Sequence, residues 1–213
     1  MKTLLRTLLA ATLIATAGCA TAYYGTLEKF GFEKRDILVD RVKDARGEQA
    51  DAQETFASAL EEFRALVEID GGELEKQYDK MNASYERTKR QALEVRKRIS
   101  DVDDVGKRLF REWEQELELY DSPDLRRRSS EQLSATQADY NQLLAAMNKA
   151  ASKMDPVLEL YEDQVLFLKH NLNARAISSL ELEKLKIEER VEALIAEMNT
   201  AIQEADQFIE SMG

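Results

Sequence analysis

The sequence predicts an all-α protein, an elongated antiparallel helical bundle or coiled coil of three to four long helices. Only 8 of its 213 residues are Gly and 2 are Pro, so the chain has few of the residues that form the turns of a sheet protein. Apolar residues also recur at alternating steps of three and four along most of the chain. This spacing is typical of helices that pack side by side in a left-handed bundle.

The first run of apolar positions ends at Asp70-Gly71-Gly72, the strongest turn signal in the sequence. Gln49 is the one polar member of this run. We therefore expect a first long helix whose core stripe is interrupted by a single amide side chain. The apolar members are Leu38, Val42, Ala45, Ala52, Phe56, Ala59, Phe63 and Leu66.

The second run ends at Asp121-Ser122-Pro123, where Ser122 can cap the next helix and Pro123 can occupy its first position. Gly106 and Glu116 are the imperfect steps of this run. The turn predicts that the second helix folds back antiparallel onto a third. The members are Leu74, Tyr78, Met81, Tyr85, Thr88, Ala92, Val95, Ile99, Val102, Leu109, Trp113 and Tyr120.

The third run keeps its phase through Pro156, which predicts a kink or a local restart and not a domain boundary. Like Trp113 and Tyr120, Tyr140 and Tyr161 of this run lie at core spacing. We expect these aromatic rings to pack in the core with the tyrosine hydroxyls turned to its rim. The members are Leu133, Thr136, Tyr140, Leu143, Met147, Ala150, Met154, Val157 and Tyr161.

A fourth run covers the last part of the chain, with Lys184 as its polar step. Before it, residues 168–178 contain His170, Asn171 and Asn173, which lower the helix propensity. Either the third helix continues through this junction or the chain turns there. The members of the run are Ile177, Leu180, Ile187, Val191, Leu194, Met198, Ala201, Ala205, Phe208 and Met212.

No linker rich in Pro, Gly or Ser divides these runs, so residues 26–213 are predicted to form one elongated helical domain. Ile195, Ile202 and Ile209 lie beside the fourth apolar stripe. They either widen the core of a monomeric bundle or form a second apolar face, which would support a homo-oligomer.

The beginning of the chain has the pattern of a bacterial lipoprotein signal. Lys2 and Arg6 flank the start of an apolar stretch, and the small residues Ala17-Gly18 precede Cys19, the only cysteine. We therefore predict a signal peptide over residues 1–18 and a membrane anchor through an acylated Cys19. Two or more acyl chains on one cysteine make a stable anchor.

An ordinary secretory signal, cleaved near Ala20 or Ala22, and an uncleaved helix are the alternatives to this interpretation. In a lipoprotein, Ala20 directly after the anchor favours the outer membrane, with the body in the periplasm. Residues 19–25 would then be a short membrane-proximal tether. Within it, Tyr23 and Tyr24 either lie at the membrane interface or pack against the end of the bundle.

Charge limits the classes of partner. Cleavage removes Lys2 and Arg6, so 28 of the 30 basic residues remain against 41 acidic residues, a formal charge of −13. This balance argues against binding nucleic acid or lying flat on an anionic membrane. Between Arg87 and Arg111, however, nine basic residues outnumber four acidic ones. That basic stretch either pairs with acidic stripes on neighbouring helices or forms a docking stripe for an acidic partner.

Residues for catalysis are sparse. His170 is the only histidine, and an acylated Cys19 cannot act as a nucleophile, so neither a histidine metal cluster nor a cysteine enzyme can be built. The sequence also has no Gly-rich phosphate loop and no serine nucleophile elbow. We therefore expect a non-enzymatic protein that uses no metal and no cofactor.

One polar segment, Asp163 to Leu180, interrupts the apolar periodicity and contains the single histidine. Its hydrogen-bonding side chains either terminate helices or form a recognition site or hinge at one end of the bundle. The candidate residues are Gln164, Lys169, His170, Asn171, Asn173 and Arg175.

Three segments carry a family resemblance: YYGTLEKFGFEKRDILVDRV from Tyr23 to Val42, LFREWEQELELY from Leu109 to Tyr120, and DQVLFLKHNLNARAISSL from Asp163 to Leu180. With them, the chain resembles an uncharacterised family of bacterial envelope proteins described as helical lipoproteins. The resemblance implies a helical body in the periplasm. It carries over no catalytic residue, because no activity is established for that family.

Taken together, these features predict a bacterial envelope lipoprotein whose elongated bundle is a scaffold or adaptor for another envelope protein. Its membrane contact would be made through the lipid on Cys19. The alternative is a helical module that itself contacts or remodels membranes.

Overall fold

The computed structural model describes residues 34–67, 74–171 and 174–212, except for the side chains of residues 74, 174–179 and 182. Four helices occupy these ranges, and no strand occurs within them, so the predicted all-α class is confirmed. The helices are α1 (Lys34–Val67), α2 (Leu74–Leu117), α3 (Pro123–His170) and α4 (Ala174–Met212).

The helices form an antiparallel bundle. Each packs mainly against two others, so that they close a ring in the order α1, α2, α3, α4. Pairs across the seams show that sequence numbers rise on one helix as they fall on its neighbour. Such pairs are Arg46–Asp206 and Arg64–Glu188 between α1 and α4, Lys34–Glu112 and Arg87–Glu62 between α1 and α2, and Lys149–Glu197 and Gln142–Glu204 between α3 and α4.

The core follows the predicted heptad spacing. Buried side chains from all four helices form one apolar cluster, and α1 contributes Leu38, Val42, Phe56 and Phe63 at its predicted positions. The predicted polar interruption is also present, because Gln49 is fully buried and neither of its amide atoms has a hydrogen-bond partner among the described atoms. A buried amide in such a stripe disfavours other registers of the helices at some expense of stability.

The predicted start of α3 is confirmed. Ser122 is the N-cap, and its Oγ accepts a hydrogen bond from the Leu125 backbone N–H at 3.4 Å, while Pro123 occupies the first turn. The end of α2 differs from the prediction, because the helix ends at Leu117. Tyr120 lies beyond that end and is 41% exposed, so its assignment to the core was wrong.

Helix α3 runs without a break through Pro156. The predicted local restart of the helix at this proline was therefore wrong. At the junction left open by the sequence, the chain turns: α3 ends at His170 and α4 begins at Ala174. The described part of the chain therefore forms four helices. The first predicted turn, Asp70-Gly71-Gly72, lies outside the described residues.

Side chains beside the fourth stripe widen the core. Ile195 and Ile209 are half-buried and pack against the apolar cluster. Ile202 is also half-buried. This placement accounts for these residues within a single bundle, and self-association stays a prediction.

The two ends of the bundle differ. At one end, Lys34 Nζ lies 2.5 Å from Glu112 Oε2, so α1 begins level with Glu112. Helix α2 continues from there to Leu117, which carries the α2–α3 connection about 8 Å past the start of α1. We call residues 117–125 the hairpin tip and this end the tip end. The opposite end, where His170 and Ala174 lie, is the turn end.

Candidate functional site

The polar segment singled out in the sequence lies at the turn end, on the last two turns of α3 and in the connection to α4. Its described side chains differ in exposure. Gln164 is buried, at 8% exposure, whereas Lys169 and His170 are exposed on the last turn of α3. The ammonium group of Lys169 stands near the helix C-terminus, where the partial negative charge of the helix dipole stabilises a cation.

Asn171 has a structural role. It is the C-cap of α3: its backbone N–H donates to the Leu168 carbonyl at 3.2 Å, and its side-chain Nδ2 donates to the Phe167 carbonyl at 3.0 Å. Both bonds satisfy carbonyl groups that the end of a helix leaves unpaired. Asn173 lies outside the described residues, and for Arg175 the structure describes only the backbone in α4.

Tyr161 carries a deeply buried hydroxyl group toward the turn end. Its ring meets Phe63 edge-on, with 6.3 Å between ring centroids. The residue is only 1% exposed, and its hydroxyl has no hydrogen-bond partner among the described atoms. Burial raises the pKa of this hydroxyl, the nearby charge of Glu62 raises it further, and Arg64 lowers it. The expectation that this hydroxyl reaches the rim was wrong.

Arg64 joins two helices next to this tyrosine. Its Nε donates to Glu188 on α4 at 2.7 Å, and one terminal nitrogen donates to Glu61 on its own helix at 2.6 Å. These hydrogen bonds to carboxylates raise the pKa of the guanidinium. The hydrogen bond from Arg64 to Glu188 therefore links α1 to α4.

Three of the nine basic residues in the basic stretch of α2 pair with neighbouring helices, which agrees in part with one of the two interpretations, whereas Lys97 and Lys107 pair within α2. The docking stripe for an acidic partner stays a prediction. Arg87 contacts Glu62 on α1, Arg98 lies 3.7 Å from Glu48 on α1, and Arg96 contacts Asp155 on α3. Exposed ion pairs of this kind contribute about 0–1 kcal/mol each. These ion pairs therefore add little stability and mainly determine which helices pack together and in which register.

An open groove between α1 and α2 lies beside one of these pairs. Its walls carry charges of both signs, among them Asp51, Glu54 and Arg90. Arg87 spans it by donating to both carboxylate oxygens of Glu62, at 2.7 and 2.9 Å. The groove has no apolar floor that would favour a small organic ligand.

The hairpin tip is the feature that sequence reasoning missed. Leu119, Tyr120 and Leu125 are 79%, 41% and 53% exposed there. The turn is braced by a hydrogen-bonded ion pair between Arg126 and Glu118. A signal was present in the sequence, since three large apolar residues surround a Ser-Pro turn and only one of them fits a core stripe.

Trp113, the only tryptophan, lies at the base of this tip. It is half-buried against the core, and its indole Nε1 donates to Ser129 Oγ at 2.9 Å, which joins α2 to α3. This geometry satisfies the ring's one polar group. The predicted core position of Trp113 is therefore confirmed in part.

Several predicted sites lie outside the described residues: Cys19, Tyr23 and Tyr24. Within the described residues, no helix is long and apolar enough to span a membrane. Nor does that part of the chain bring together three or more acidic, histidine or cysteine side chains that could hold a metal ion.

The architecture defines the class of protein as an antiparallel four-helix bundle with one shared apolar core. Within that class, the chain belongs to the family described as "Protein of unknown function (DUF2959)", whose model matches residues 23–212. The matched region thus includes all four helices and eleven residues before α1. No curated protein and no solved structure matches the chain.

Proposed function

We propose that the protein is a non-enzymatic lipoprotein of the bacterial envelope, anchored through Cys19, whose bundle is a scaffold or adaptor for another envelope protein. The observation that supports this proposal is the direction of the bundle. Helix α1 begins at the tip end with Lys34, the described residue nearest in sequence to Cys19. The anchor is therefore attached to the tip end, and the turn end is free to face a partner.

The dimensions fit such a role. Helix α3 has 48 residues and is about 72 Å long, because a helix rises 1.5 Å per residue. An anchored bundle that stands on its tip end presents Lys169 and His170 at this distance from the tip. These exposed side chains, with the exposed apolar Leu166 and Phe167 beside them, supply both charged and apolar contacts for a protein partner.

The anchor is tested by replacing Cys19. We expect the natural chain to incorporate labelled fatty acid and to sediment with outer membranes. Cys19→Ser should lose the label and leave the membrane fraction while the bundle stays folded by circular dichroism. Membrane association of Cys19→Ser at the natural level would contradict lipid anchoring.

The scaffold role is tested by crosslinking in intact cells. A photoreactive residue replaces Lys169 at the turn end, Lys149 in the middle of α3, or Glu118 at the hairpin tip. All three side chains are exposed. We expect a discrete crosslinked product from position 169 only. Equal products from all three positions, or none from position 169, would contradict the proposal.

One observation favours the alternative, a module that contacts membranes directly: the exposed apolar side chains of the hairpin tip lie at the anchor end. Their acidic surroundings, Glu116, Asp121 and Asp124 among them, oppose binding to anionic lipid. Flotation of Cys19→Ser protein with zwitterionic vesicles tests this alternative. Flotation that Leu119→Ser abolishes would support it over the scaffold.

A further inference from the structure

The hairpin tip exposes an apolar patch of Leu119, Tyr120 and Leu125. Elsewhere in the described residues, Leu93 and Leu185 are exposed singly, and Leu166 and Phe167 are exposed next to each other near the turn end. Clusters of such residues on a protein surface mark contact sites. The apolar patch of the hairpin tip is therefore a candidate contact site.

The chain itself enters the bundle beside the patch. Lys34, the first residue of α1, pairs with Glu112 one turn before the tip begins, and Arg35 donates a hydrogen bond to the Met212 carbonyl at the same end. The residue that precedes Lys34 is therefore attached within about 10 Å, along the bundle axis, of the exposed leucines. No other part of the chain that lies outside the described residues is attached at this end, apart from Gly213.

The sequence that precedes Lys34 has the composition to cover an apolar patch. Tyr23, Leu27 and Phe30 recur at steps of four and three, and Phe32 adds a fourth large apolar side chain. The family match begins at Tyr23, so this stretch belongs to the same family unit as the bundle. Eleven residues reach up to about 36 Å when extended, which is ample for the distance to the tip.

We propose that residues 23–32 cover the hairpin tip, with Leu27 and Phe30 packed against Leu119 and Leu125. The proposal does not depend on the scaffold function. It implies that the stretch between the anchor and the bundle is shorter than its residue count suggests, because its second half is held on the bundle.

Charge favours residues 23–32 as the occupant of the hairpin tip over an anionic lipid surface or a second copy of the chain. Within residues 117–125 the tip carries Glu118, Asp121 and Asp124 and no basic residue, which disfavours an anionic lipid surface and the same tip of a second copy. Glu118 and Asp124 are paired with Arg126 and Arg127, which directly follow the tip. The segment 23–32 contains one acidic and one basic residue, Glu28 and Lys29, and so avoids this repulsion.

Disulfide trapping in the full chain tests the contact, since Cys19→Ser removes the only natural thiol. In that background, Phe30→Cys is combined with Leu119→Cys. The matched control combines Phe30→Cys with Leu166→Cys, a leucine that is 49% exposed at the turn end. We expect the first pair to form an intramolecular disulfide at least about tenfold faster than the control, because contact raises the effective concentration of the two thiols.

Other outcomes would overturn the proposal. Equal rates in the two pairs would show that the segment does not rest on the tip. Disulfides formed only between chains would identify a second copy as the occupant. Protection of a thiol at position 119 from alkylation only when zwitterionic vesicles are present would identify lipid as the occupant.

The fluorescence of Trp113, the only tryptophan, gives an independent measurement that needs no cysteine. If the segment covers the tip, the double variant Leu27→Asp, Phe30→Asp should expose the base of the hairpin and shift the Trp113 emission to the red. The control Leu166→Asp, at the turn end, should leave the emission unchanged. An unshifted spectrum in a folded double variant would overturn the proposal.

Discussion

Two tyrosines in α3, Tyr140 and Tyr161, occupy the same heptad position three repeats apart, yet the bundle accommodates them differently. Near the tip end, the hydroxyl of Tyr140 donates to Asp103 Oδ1 at 3.3 Å and lies 3.5 Å from the Val102 carbonyl. Near the turn end, the hydroxyl of Tyr161 is buried with no partner among the described atoms. Both residues are at most 4% exposed.

The difference arises on the facing helix. A Cβ on Gly106 of α2 would lie 2.5 Å from the ring of Tyr140, so the ring fits only because that position has no side chain. Phe110 and Phe208 complete this layer, with ring centroids 5.0 and 6.3 Å from that of Tyr140. The ring of Tyr161 meets Phe63 instead. Periodicity thus determines which rings are buried, and the opposite helix determines what each hydroxyl meets.

The largest effect is expected from Gly106→Ala. The new methyl group would overlap the Tyr140 ring, and overpacking of this kind costs about 1–3 kcal/mol. We expect the free energy of unfolding in urea to fall by that amount, although alanine is the better helix former. The loss should be much smaller in a Tyr140→Leu background, where the ring is absent. An equal loss in both backgrounds would contradict this explanation.

High pH should destabilise both layers. Burial raises the pKa of Tyr140 and Tyr161 above the ordinary value of 10.0. The folded state thus keeps protons that the unfolded chain releases, so the stabilisation is complete below pH 10 and is lost as the pH rises toward the folded pKa. At pH 11 we expect a loss of about 1 kcal/mol per tyrosine in urea unfolding. The double variant Tyr140→Phe, Tyr161→Phe should lose less between pH 9 and 11 than the natural chain.

Removing the two tyrosine hydroxyls one at a time should change the free energy of unfolding differently in the two layers. Tyr140→Phe deletes the hydrogen bond to Asp103 and should lower the free energy of unfolding by about 0.5–1.5 kcal/mol. Tyr161→Phe deletes a buried hydroxyl that has no described partner, so stability should stay the same or rise by about 1 kcal/mol. Thermal unfolding of both variants at pH 7 measures these changes. A large loss of stability in Tyr161→Phe would show that its hydroxyl has a partner.

The sequence was sufficient for the regular parts of this fold. Spacing predicted most buried positions on the four described helices, and Ser122-Pro123 predicted the start of α3, because these signals are local. The predicted core side chains of Leu74 and Ile177 lie outside the described residues. The end of α2 was not predictable from spacing, since Tyr120 continues the apolar step beyond the last helical turn. The turn at Asn171 was left open because its capping bonds to Phe167 and Leu168 depend on backbone geometry.

The candidate site was less accessible to sequence reasoning. Gln164 and Asn171 stood out as polar residues at a break in periodicity, but one is buried in α3 and the other caps it. Exposure cannot be inferred from residue type alone, because it depends on which helices reach the same level of the bundle. The four helices leave the hairpin tip uncovered for that reason: α2 and α3 extend past the start of α1 and the end of α4.

The smallest predicted effect isolates the contribution of glycine itself. Gly47 lies inside α1, and a Cβ there would meet nothing within 4 Å. Gly47→Ala should therefore raise the free energy of unfolding by about 0.5–1 kcal/mol, since alanine favours the helix without a clash. Urea unfolding beside Gly106→Ala checks this, because the two substitutions are chemically identical and differ only in the facing ring. A loss of stability in Gly47→Ala would mean that the cost at Gly106 cannot be assigned to Tyr140 alone.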